Sequence, residues 1–79
     1  MGRTVEVVKE IISDYLTIDA SDIRDDDHLI NDLGLDSLDS IEMILKLEEE
    51  LGVELSDEEL ETVKTVEALT DALDRKLAK

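Results

Sequence analysis

Ser37 lies in the run Gly34-Leu35-Asp36-Ser37-Leu38-Asp39, where a turn signal passes directly into a long apolar-periodic stretch. Its hydroxyl therefore stands at a helix start, where Ser and Asp are ordinary residues, and Asp36 can serve as the cap and leave Ser37 free. A serine nucleophile needs a base beside it, but the near neighbours here are acidic. Ser37, His28 and one of the Asp residues form a triad only on paper, without a Gly-x-Ser-x-Gly elbow or enough chain for an oxyanion pocket. Ser37 thus reads as a residue that is modified. A phosphate esterified there meets the unpaired N–H groups and positive dipole end of the helix.

The elements that must position Ser37 follow from periodicity. Val5, Val8, Ile12 and Tyr15, widened by Ile11 and Leu16, predict an amphipathic helix over residues 4–17 with Thr4 as N-cap. Residues 17–35 break that pattern. They form a long acidic loop pinned by Ile18, Ile23, Leu29, Ile30 and Leu33, and loops of this length are usually functional or hold short helical turns. Residues 38–51 predict the strongest helix, closed by Gly52. Ser56 and Glu59 make a capping box for a short helix through about Thr62. Thr65 caps the last helix, whose stripe is Val66, Leu69, Leu73 and Leu77, and Arg75, Lys76 and Lys79 complement its dipole. The fold class is an all-α four-helix bundle in one domain, residues 1–79, with three longer helices, a short third one and a long loop between the first two.

The helix after Ser37 carries two apolar arcs when its residues are spaced at about 100°. Met43, Ile44, Leu47 and Leu51 form a core face. Leu38, Ile41 and Leu45 form a second arc, separated from the first by Glu48 and flanked by Glu42 and Glu49. A core does not need this second stripe, so it reads as a docking surface for a partner with an apolar patch and a basic rim. Tyr15, the only aromatic, is expected to fill core with its hydroxyl in water. His28 is expected to make a local hydrogen bond in the loop.

Composition excludes several classes. With 23 acidic and 8 basic side chains, the net charge of −15 argues against nucleic acid and for basic partners. A chain this short buries only about 60% of its unfolded surface, which leaves little for a catalytic cleft. No Cys is present, so any thiol chemistry needs an imported sulfur. Asp22, Asp25, Asp26 and Asp27 invite a calcium reading, but no window satisfies an EF-hand, and no metal site is assigned. No apolar run reaches membrane-span length, and Met1-Gly2 is followed by Glu6 where myristoylation wants Ser or Thr. A cytoplasmic monomer is expected.

The sequence resembles the acyl carrier proteins over essentially its whole length. The resemblance rests on Asp32-Leu33-Gly34-Leu35-Asp36-Ser37-Leu38-Asp39, Leu47-Glu48-Glu49-Glu50-Leu51, Asp57-Glu58-Glu59 and Lys64-Thr65-Val66. It implies that Ser37 bears 4′-phosphopantetheine, transferred from coenzyme A by a separate phosphopantetheinyl transferase with Mg²⁺. It further implies that acyl groups ride on the prosthetic thiol to fatty-acid or polyketide synthase enzymes with basic docking patches, the chain itself catalysing nothing. Recognition then falls to Asp36, Leu38, Asp39, Ile41, Glu42, Leu45 and Glu48. Leu29 and Leu51 stand where Phe is common in bacterial fatty-acid carriers, and Ser56 where Pro is usual, which leaves a specialised pathway open. The alternatives are a small acidic helical adaptor without a prosthetic group, and a polyketide or amino-acyl carrier.

Overall fold

The computed structural model describes residues 3–78 and contains helices α1 (Arg3–Leu16), α2 (Ser37–Leu51), α3 (Asp57–Thr62) and α4 (Val66–Leu77). A single 3₁₀ turn, Ala20–Asp22, interrupts the long loop. The expected arrangement of three longer helices and a short third one is therefore present. Lys79 and the Met1-Gly2 start, both given roles above, lie outside the described residues.

Helix α1 packs against both α2 and α4, and the core forms where their apolar stripes meet. Val8 and Ile12 are fully buried, one turn apart, and face Met43, Ile44 and Leu47 of α2 and Val66, Leu69 and Leu73 of α4 within one cluster. Two expectations about these stripes need correction. Thr4 does not cap α1, because the helix already runs from Arg3, and Thr4 is buried inside its first turn. Leu77 is 43% exposed, since the last turn of α4 passes beyond the core; Thr70 and Ala72 are the buried residues not foreseen there.

Helix α3 buries none of its own residues and is secured by its ends. Leu55 just before it and Val63 just after it are buried in the core. The capping box is complete: the Glu59 backbone N–H donates to Ser56 Oγ at 3.2 Å, and the Ser56 N–H donates to Glu59 Oε1 at 3.0 Å. Lys76 Nζ, one helix away, pairs with the same Glu59 oxygen at 2.9 Å. The Ser56 N–H first, and Lys76 second, stabilise the charged carboxylate and pull its pKa down to about 2.

The long loop is held by Ile23, Leu29 and Leu35, each buried; Ile18 and Ile30, expected to share that work, are 40% and 41% exposed. Backbone pairing supplies the rest. Leu29 N–H donates to the Lys64 carbonyl at 2.8 Å, while the N–H groups of Val66 and Glu67 donate to the carbonyls of Asp27 and Asp25. The loop thus satisfies two of the orphan donors that begin α4, and the Thr65 hydroxyl accepts a third from Ala68. Lys9 of α1 ties the loop down through an ion pair with Asp25 at 2.8 Å.

Candidate functional site

Residues 28–35 wind tightly around His28 and deliver the chain to Ser37. The His28 Nδ1 accepts the N–H groups of Ile30 and Asn31, both at 3.1 Å, and its carbonyl accepts those of Asp32 and Leu33. Its own N–H donates to Asp32 Oδ2 at 2.7 Å. The local hydrogen bond expected of His28 is therefore present twice over, and it fixes Nδ1 as an acceptor committed to the backbone. Gly34 then turns with φ of 81°, a left-handed conformation that suits a residue without Cβ.

Helix α2 begins on Asp36. Its Oδ1 accepts the Asp39 N–H at 2.8 Å and its carbonyl accepts the Ser40 N–H at 2.9 Å. Because Asp36 is the cap, the Ser37 hydroxyl is spent on nothing: it is exposed at the first helical position and has no hydrogen-bond partner among the described residues. Ser40, one turn on, differs in both respects. It is buried, and its hydroxyl donates to the Ser37 carbonyl at 2.9 Å. Only Ser37 of this pair offers a free alcohol to an incoming enzyme.

A groove of about 460 Å³ opens beside Ser37 and Ser40, walled by Ile41 and Ile44 of α2 and by Leu60 and Val63 at α3. Leu38, Ile41 and Leu45 are 65%, 44% and 53% exposed, as expected for a stripe the core does not use. Asp36 and Glu42 are exposed and Asp39 half-exposed at its margins.

Glu48 requires a correction. It is only 8% exposed, and its Oε2 accepts the N–H of buried Leu55. On the helical wheel it lies about 20° from Ile41, at the edge of the outer stripe, but the chain returning from Gly52 covers it and finds an acceptor there. Glu48 therefore belongs to the fold and not to the docking surface. Tyr15 also departs from expectation. Its ring packs on the core, but its hydroxyl points at Asp39 Oδ1 (3.4 Å) and Glu42 Oε1 (3.5 Å) across α2. Partial burial, then the charges of Glu42 and Asp39, raise the phenol pKa. No periodicity signal carries such a contact, since the residues stand 24 and 27 positions apart.

The site can hold a covalently attached anion with a long tail but has little to hold a free one. A helix end contributes about 0.3–1 kcal/mol to an anion, and a carboxylate some 4 Å away in water removes about 1 kcal/mol. Asp36 and Asp39 flank Ser37, so their two carboxylates offset or exceed what the helix end offers a free anion. The open hydroxyl, the uncapped N–H groups of Ser37 and Leu38, and the adjoining groove suit such a group.

Fold and site together define a small helical domain with an exposed, unbonded serine hydroxyl at a helix start beside a groove. The protein family described as the phosphopantetheine attachment site matches residues 6–73. The chain is 45% identical over 77 residues to an acyl carrier protein of Thermosynechococcus vestitus, covering 98% of this chain and 95% of that one. It is 44% identical over 71 residues to an acyl carrier protein of Solidesulfovibrio magneticus, covering 90% and 91%. The solved structure of the acyl carrier protein from Enterococcus faecalis superposes with a TM-score of 0.79 at 35% identity over 94% of each chain. The chain belongs to the acyl carrier protein family.

Proposed function

We propose that Ser37 is the attachment residue and that the 79 residues act as one carrier domain, a cytoplasmic monomer with no catalysis of its own. The observation that carries this reading is the division of labour at the start of α2: Asp36 caps the helix, which frees the Ser37 hydroxyl. When attached, the phosphopantetheine supplies a thiol that holds acyl groups as thioesters. The chain lacks Cys and cannot supply one itself.

Ser37 has no base at hand, because the nearby imidazole is engaged through Nδ1 with the backbone of Ile30 and Asn31. Activation must come from the phosphopantetheinyl transferase. The Ser37 Oγ forms a bond to phosphorus of coenzyme A, the hydroxyl proton passes to the transferase, and the nucleotide portion leaves. The partners, that transferase and fatty-acid or related synthase enzymes, dock on Leu38, Ile41 and Leu45, and the carboxylates of Asp36, Asp39 and Glu42 steer their basic rims. Among the described residues no helix is long and apolar enough to cross a membrane.

Incubation with coenzyme A, Mg²⁺ and a broad-specificity transferase tests the reading by intact mass. Wild type should gain one phosphopantetheine and Ser37→Ala none. An unmodified wild type would leave the adaptor alternative in its place.

A further inference from the structure

Docking surfaces on α2 are read above from α2 alone, yet one residue of α1 reaches them. Tyr15 occupies the last turn of α1, with its ring against the core and its oxygen 3.4 Å from Asp39 and 3.5 Å from Glu42. These two carboxylates lie three residues apart on one side of α2, where their charges repel. A phenol carries a single proton, and at these distances it lies within reach of either carboxylate. Both carboxylates lie near the one hydroxyl and so stand as a pair of acceptors at the margin of the apolar stripe.

Two adjacent carboxylates match the planar donor fork of a guanidinium better than the point charge of an ammonium. The geometry points to Tyr15 as a positioning residue for partner recognition, which fixes Asp39 and Glu42 as a paired acceptor for an arginine of the enzymes that dock on α2. This rests on the docking role assigned to α2 above and extends it to α1.

Tyr15→Phe keeps the ring and removes only the hydroxyl, so loading of Ser37 by a transferase at low salt reads the effect. KM should rise about three- to fivefold, the scale of one modest hydrogen bond, with kcat and the melting temperature unchanged. In an Asp39→Asn/Glu42→Gln background, Tyr15→Phe should produce no further rise. An unchanged KM, or the same rise in that neutral background, would overturn the proposal. Wild-type protein that loads normally while Tyr15→Phe behaves identically would refute the role of Tyr15 alone, whereas wild type that fails to load would refute the Ser37 reading and this extension together. A spectrophotometric titration adds a readout that needs no partner. Tyr15 is the only aromatic, and its raised pKa should fall towards the ordinary value in the neutral background; a pKa that stays put there would show that the hydroxyl does not engage the carboxylates.

Discussion

The Asp36 carboxylate accepts the Asp39 backbone N–H at 2.8 Å, and this bond leaves the Ser37 hydroxyl without a capping role. In many helices a serine at such a start would be the cap. Here the cap sits one residue earlier, so the hydroxyl that follows makes no hydrogen bond among the described residues. Asp36→Ala should therefore destabilise the protein by about 1 kcal/mol. Asp36→Asn, which caps equally well, should keep the stability and slow loading through its lost charge. Urea unfolding and transferase rates, measured side by side, separate the two roles of this residue.

Glu48 gives a second prediction, opposite to what its place beside the outer stripe suggests. Glu48→Ala leaves the buried Leu55 N–H without its acceptor and should cost about 1–3 kcal/mol. Glu42→Lys, on the exposed margin, should leave stability nearly unchanged and slow loading by basic partners. Equal effects of the two substitutions on stability would contradict the placement of Glu48.

Acid stability should depend on Glu59. Its pKa falls from an ordinary 4.5 to about 2 in the folded state, so it binds fewer protons folded than unfolded between those values. The stability it contributes is present in full above about pH 4.5 and is lost as pH falls towards 2. Glu59→Gln should flatten that part of the stability curve, and Lys76→Met should flatten it less, because the Ser56 N–H is the larger cause. Melting curves across pH 2–5 would check this.

A net charge of −15 on 79 residues makes self-repulsion a general cost of folding. Mg²⁺ or moderate salt should raise the melting temperature by about 4–8 °C for each kcal/mol of repulsion relieved. A flat salt titration would count against that cost.

What could be read from the sequence was local. The Ser56–Glu59 box, the Thr65 cap and the left-handed Gly52 each depend on residues within one turn, and each is present as expected. The free Ser37 was legible for the same reason. Glu48 was misread because its surroundings are set by the return of residues 52–55, which no periodicity in α2 encodes. Thr4 failed as a cap because helix ends shift by a residue or two without a strong stop signal. The pairing of the loop carbonyls of Asp25 and Asp27 with the start of α4, like the contact of Tyr15 with Asp39 and Glu42, arises only when distant segments meet.

The most direct test of the central claim is the position of the attached group after loading. Ser37 and Ser40 differ by one turn but differ wholly in exposure and hydrogen bonding. Proteolysis and fragmentation mass spectrometry of the loaded protein should locate phosphopantetheine on Ser37 alone. Its appearance on Ser40, or on any serine of a Ser37→Ala variant, would contradict the account.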